Sequence, residues 1–147
     1  EAFEISDKIA FLDYKKIIQY DTAYNLYHKP LTEEIADFCG IGSFINGKVI
    51  DATHVQTELG RFFGDASKFS IGSIVKVMIR PDDIIHDDNS TQSATVIEKS
   101  FHGSDFLYKL ELSDGERVFC YTPSHHNHSL NEVIGIKPVI DHLIIFN

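Results

Sequence analysis

The chain has 147 residues, 43% of them hydrophobic, with a formal net charge of −9 and a pI near 5.2. That length and apolar content suffice for one ordinary domain, or a small domain plus an appendage, while the longest apolar runs fall far short of the ~20 residues needed to cross a bilayer as a helix. The acidic balance, with only three scattered arginines, excludes a general nucleic-acid binder, because phosphate contacts and counterion release require clustered Lys and Arg. Cys39 and Cys120 lie far apart with no CxxC spacing. They indicate neither a zinc ribbon nor a disulfide framework and read as two buried thiols. No basic region precedes an apolar stretch at the amino terminus, and the sequence opens on Glu1, so it reads as a piece of something longer.

The first forty residues differ in texture from the rest. Lys8 to Leu12 and Lys16 to Tyr20 are two short apolar or β-branched runs separated by Asp13, Tyr14 and Lys15, the pattern of a hairpin. Thr22 can cap a helix carrying Tyr24, Tyr27 and His28 through to Lys29, where Pro30 stops it. Thr32 caps a second helix with Glu33 and Glu34 in its first turn, facing the positive end of the macrodipole. Ile35, Phe38 and Cys39 form its apolar stripe and Gly40 ends it. The boundary is placed at Gly40 to Gly42, dividing 1–41 from 42–147.

From Ser43 onward, short strands separated by Gly, Asp, Asn and Ser clusters predict a small mainly β barrel. The expected strands are Phe44 to Asp51, His54 to Leu59, Ile74 to Arg80, Ser93 to Phe101, Phe106 to Leu112, Glu116 to Thr122, Val133 to Lys137 and Leu143 to Phe146. Tyr108, Leu110 and Leu112 alternate with Lys109 and Glu111, as in a strand with one wet face. Ser113-Asp114-Gly115 is a turn joining two of these strands into a hairpin. The run from Asp87 to Gln92 is too hydrophilic to bury and reads as a solvated loop.

Few residues carry chemistry. His125, His126 and His128 share one loop and would be the metal candidates, since imidazole suits zinc, copper or nickel, but a solvated His/Asn/Ser loop accounts for them and no metal site is expected. Asp82 and Asp83 after Pro81 read as turn residues rather than a catalytic pair, which would need a pocket and shifted pKa values. The Arg80 guanidinium could pair with a carboxylate across the barrel or a dimer interface. Phe101, Phe106, Tyr108, Phe119 and Tyr121 could form a stacking platform for single strands, but without a basic groove core packing is the stronger explanation.

The opening stretch, with Glu1-Ala2, Asp7-Lys8-Ile9-Ala10, Lys16-Ile17-Ile18-Gln19, Thr22, Leu26-Tyr27, Lys29-Pro30 and Ile35-Ala36-Asp37-Phe38-Cys39-Gly40, resembles the end of the nucleotide-binding domain of ABC-importer ATPases, just after the switch histidine. Lys15 and Asp21 stand where that family usually has glycine, and Ala23 where proline is common, so Lys15 is expected near positive φ. The remainder resembles a transport-associated OB-fold (TOBE) domain through Val77-Met78-Ile79-Arg80-Pro81-Asp82-Asp83, Val55-Gln56-Thr57-Glu58-Leu59-Gly60 and Phe101-His102-Gly103. Within the family it looks closest to subunits of iron(III)-type and related anion or polyamine importers. Arg80, Pro81 and Asp82 are the signature and interface candidates.

The resemblance implies a regulatory and dimerising C-terminal domain, pairing with a second copy and belonging to a subunit that works with membrane permease subunits at the inner face of the cell membrane. A small ion would be its effector. ATP and magnesium would be cofactors of the full-length subunit alone: these 147 residues contain no GxxxxGK[ST] phosphate loop, no SGGQ run and no apolar strand ending in Asp-Glu, so no cofactor and no catalytic residue is expected in them. The alternative is a stand-alone OB-type barrel that binds a small oxyanion or a metal.

Overall fold

The computed structural model describes residues 2–13 and 15–147; Glu1 and Tyr14, the latter in the expected hairpin turn, lie outside the described residues. The chain forms two compact units, the first ending at Ile41 and the second beginning at Gly42. Among the described residues, no helix is long and apolar enough to cross a membrane.

The first unit opens with a four-residue helix, α1 (Ala2–Ile5), which the sequence did not signal. Strands β1 (Ile9–Asp13) and β2 (Lys16–Asp21) then pair antiparallel, with a bulge between Phe11 and Leu12. Lys15 takes a φ of 63°, the left-handed conformation that a glycine would adopt without strain. The Thr22 hydroxyl accepts from the Asn25 amide to start α2 (Ala23–His28), and the Thr32 hydroxyl accepts from the Ile35 amide to start α3 (Glu33–Cys39). Leu26, Ile35 and Ala36 make the small core. Buried Gln19 fixes the chain after α2, its amide nitrogen donating to the Lys29 carbonyl and its oxygen accepting from the Leu31 amide. Leu12, Ile17, Tyr20 and Phe38 remain exposed.

The second unit is a barrel of two five-stranded sheets. Its strands are β3 (Ser43–Asp51), β4 (His54–Thr57), β5 (Gly60–Phe63), β6 (Ile74–Ile79), β7 (Ile84–His86), β8 (Ser93–Phe101), β9 (Asp105–Glu111), β10 (Arg117–Pro123), β11 (Val133–Pro138) and β12 (Ile144–Phe146). One sheet runs β12-β6-β3-β4-β5 and the other β10-β9-β8-β11-β7. In the second sheet β10 also lies alongside β7, so that sheet curls almost shut, which is the OB-like barrel expected from the spacing of the strands. Two strands, β5 and β7, were not predicted. Both are only three or four residues long, too short for alternation to register.

Alternation fixes the inside of the barrel. Phe106, Tyr108 and Leu110 point inward from β9 and meet Val96, Val118, Cys120 and Ile136 of the same sheet, with Ile45, Val49, Val55 and Val77 from the other. Gly115, at φ 90°, closes the expected turn, its amide bonding to the Leu112 carbonyl. Of the proposed aromatic platform only Phe106 and Tyr108 are core; Phe101 and Tyr121 are exposed, and Lys109 lies over the Phe119 ring. Cys120 is fully buried, donating to the Ile84 carbonyl, and burial pushes its thiol up to about 12. Cys39 is only half-buried, contrary to expectation, because it ends α3 at the margin of a very small core.

A carboxylate ties the turn between β9 and β10 to the other sheet. Glu116 Oε2 accepts from the Asn46 amide of β3 at 2.6 Å. Desolvation first, then the neighbouring Asp114 and the charge of Glu58, push its pKa from 4.5 up to about 7. Between these two values the folded barrel therefore holds a proton that the unfolded chain releases, so this group's contribution to stability falls as pH rises from about 4.5 to 7. Glu116→Gln is expected to flatten that slope and to raise the melting temperature at pH 8 relative to the parent chain. Melting curves at pH 5 and pH 8 check this; an unchanged slope rules the account out.

Candidate functional site

The most concentrated chemistry in the barrel is a group of three imidazoles. One ring nitrogen from each of His86, His126 and His128 lies within 4.8 Å of the others. His86 ends β7, and the other two sit in the loop between β10 and β11. Because β7 pairs with β11, matching His86 to Ile136, and β10 runs along β7, the loop that joins β10 to β11 passes over the end of β7.

Each part of this arrangement is held. The Tyr108 hydroxyl, from inside the barrel, donates to the His126 carbonyl at 2.7 Å and accepts from the His128 amide at 2.9 Å. His126 also donates its amide to the Pro123 carbonyl. His128 Nδ1 is bonded to Glu132, and that bond together with the Ser129 amide holds the Glu132 carboxyl below its ordinary range. His86 Nε2 meets Asp88 Oδ1 at 2.8 Å. Lys99 Nζ caps the loop from outside, donating to Asn127 Oδ1 and the His128 carbonyl.

Much of the loop is exposed, as expected from its composition: His125, Asn127 and residues 129–132 face solvent. His128 within it and His86 at the end of β7 are instead withdrawn, with side chains 17% and 7% exposed, and the His128 Nε2 is shut off from solvent with no hydrogen-bond partner among the described residues. His125 stacks obliquely on His126, with ring centroids 4.5 Å apart, but is not among the three that converge. Sequence reasoning missed His86, since it lies some forty residues from the loop. The available signal was Ile84-Ile85-His86 directly after the Pro81 turn, a short strand whose last residue had to face something.

The run from 87 to 92 is solvated at Asp88, Asn89 and Thr91, as expected, and is hydrogen-bonded in place. The Asp87 carboxylate accepts from the Asn89 amide, its backbone bonds Gly135 and Ser90, and Gln92 Nε2 donates to the Glu58 carbonyl. Arg80 is 3% exposed and Pro81 is buried; Asp82 alone of the three signature residues is on the surface. Residues Pro81–Asp83 form a 3-10 turn in which Asp83 Oδ2 accepts from the Arg80 amide. The acids at 82 and 83 serve a turn, as expected.

The fold and sequence agree on the class. Residues 77–146 match the family described as "TOBE domain". Over most of its length the chain is similar to part of proteins named as import ATP-binding proteins. It is 30% identical over 148 residues to the "Spermidine/putrescine import ATP-binding protein PotA" of Mycoplasmopsis synoviae (strain 53), an alignment covering 96% of this chain and 32% of that protein. The protein of the same name from Mesomycoplasma hyopneumoniae (strain J) is 33% identical over 113 residues, covering 76% of this chain and 25% of its own length. That of Pseudomonas fluorescens is 29% identical over 147 residues, covering 92% and 39%. The chain thus spans between a quarter and two fifths of these relatives.

Among solved structures, a molybdate-bound form of the cytoplasmic molybdate-binding protein ModG shares the fold, with a TM-score of 0.56 at 10% identity over 70% of this chain and 94% of that one. The expected iron(III)-type subfamily finds no support, since the relatives are named for spermidine and putrescine import.

Proposed function

We propose that this chain is the C-terminal part of the ATP-binding subunit of an ABC importer for polyamines, in which the barrel regulates transport and pairs with a second copy. The observation that carries the reading is the extent of the similarity: it covers 96% of the chain, including the forty residues ahead of the barrel, which a free-standing binding module would not need. The chain itself performs no ATP chemistry on this reading, because its sequence holds no phosphate loop. ATP and magnesium belong to the portion of the subunit not included in these residues, and the subunit works with permease partners at the inner face of the membrane. Cargo of the spermidine and putrescine class replaces ferric iron, on the strength of the relatives' names. A net charge of −9 also suits a module that works near cations.

A barrel that stays paired while catalytic domains open and close would keep them associated, and an effector bound better in one state would shift the equilibrium by its difference in affinity. The parent transporter, reconstituted in vesicles, is expected to take up labelled spermidine in an ATP-dependent manner and to ignore ferric iron. Deleting residues 42–147 should weaken subunit pairing by light scattering and change the response to accumulated cargo. Uptake of ferric iron without spermidine overturns the cargo, and unchanged pairing and regulation overturn the role of the barrel.

A further inference from the structure

We infer that His86, His126 and His128 form a binding site for a divalent transition-metal ion of the zinc type, with Glu132 and Asp88 as the carboxylates that orient the ligands and balance the charge. Three convergent imidazoles are the donor set that zinc, nickel and copper prefer and that magnesium and calcium do not. Zinc–imidazole bonds of about 2.0 Å in a tetrahedron put neighbouring nitrogens about 3.4 Å apart. The 4.8 Å spread of these nitrogens must therefore close by about 1.4 Å on binding, a shift within reach of side-chain rotation, and His126 is half-buried on its loop.

The second observation is independent of proximity. Among the described residues the buried His128 Nε2 has no hydrogen-bond partner, while the other nitrogen of the same ring is bonded to the Glu132 carboxylate. A carboxylate on one nitrogen fixes the tautomer and leaves the opposite lone pair free, the arrangement found behind metal-ligating histidines. His86, at 7% side-chain exposure, is likewise bonded to a carboxylate, that of Asp88. A nitrogen lone pair sealed from water and left empty costs free energy, which an ion would recover.

The charges point the same way. Asp88 and Glu132 together supply two negative charges at the rim, offsetting a divalent cation, with Lys99 directed at the loop carbonyls on the other side. The same carboxylates repel an oxyanion, so the shared fold with a molybdate-binding protein does not extend to its ligand here. Occupancy would clip the end of β7 to the loop between β10 and β11, two segments distant in sequence whose rings already lie edge-on, His86 against His126 and His128.

The site rests on side-chain geometry and is independent of the importer reading, so a failure of one leaves the other standing. The test is calorimetric titration of the chain with zinc ion at pH 7.5 in excess magnesium, with molybdate as a parallel titrant. One zinc per chain is expected, with X-ray absorption giving three imidazole nitrogens in its first shell. His126→Ala and His86→Gln should each abolish saturable binding. Glu132→Gln should weaken it by about 10–100-fold. His125→Ala should leave it unchanged. Circular dichroism of each variant separates loss of the site from loss of the fold, and the loop variants keep the test decisive if His86→Gln unfolds. No zinc binding by the parent chain overturns the assignment. So do binding that survives in folded His86→Gln, binding lost in His125→Ala, or saturable molybdate in place of zinc.

Discussion

Gly135→Ala is expected to destabilise the barrel by about 3 kcal/mol, read as a lower urea midpoint at unchanged slope. A methyl group built on Gly135 would stand 2.2 Å from the Asp87 carbonyl oxygen and 3.1 Å from its carbon. Both are backbone atoms, and no rotamer can move them away. The Asp87 amide is at the same time bonded to the Gly135 carbonyl at 3.0 Å, so the two segments must part and lose that bond. Because Asp88 follows directly and holds His86, the substitution should also weaken zinc binding. A midpoint that stays where it was would show that the close approach of β11 to residue 87 is not required.

Tyr108→Phe should cost about 1–3 kcal/mol, although it removes a single oxygen. The ring is fully buried and stacks on Phe106 with centroids 5.7 Å apart, and phenylalanine preserves that packing. What is lost is a hydroxyl that serves two backbone groups at once, the His126 carbonyl and the His128 amide. Removing it leaves both without that partner in a part-buried loop. Hydrogen exchange at the amide of residue 128 should quicken markedly, while Tyr121→Phe, whose ring is 39% exposed, should change neither exchange nor stability. Unaltered exchange in Tyr108→Phe would mean that the loop is held by Lys99 and Glu132 alone.

Most of the second unit was readable before its coordinates because its strands alternate. Ser93–Phe101 was predicted residue for residue, and β9, β10 and β11 within one residue at either end. Threonine caps at 22 and 32 were likewise readable, since a hydroxyl three residues ahead of a helical amide is a local feature. The candidate site was legible only in part. His126 and His128 stood out as a loop cluster, but His125, equally prominent in sequence, turned out to lie beside the group and not in it. Loop composition suggested solvation, which holds for most of the loop but not for His128, withdrawn beside the equally sheltered His86 of β7. The cluster at Arg80 to Asp82 was noticed for its sequence, yet two of its three members are buried.

The sequence by itself determined the strands, the caps, the acidic character and the absence of ATPase motifs from these residues, because each depends on neighbours a few positions apart. Only the tertiary structure decided what surrounds His86, since the imidazoles beside it come from a loop some forty residues later, itself held by the hydroxyl of a core tyrosine. Pairing between distant strands sets such meetings, and neither periodicity nor composition encodes which β-strand lies beside which.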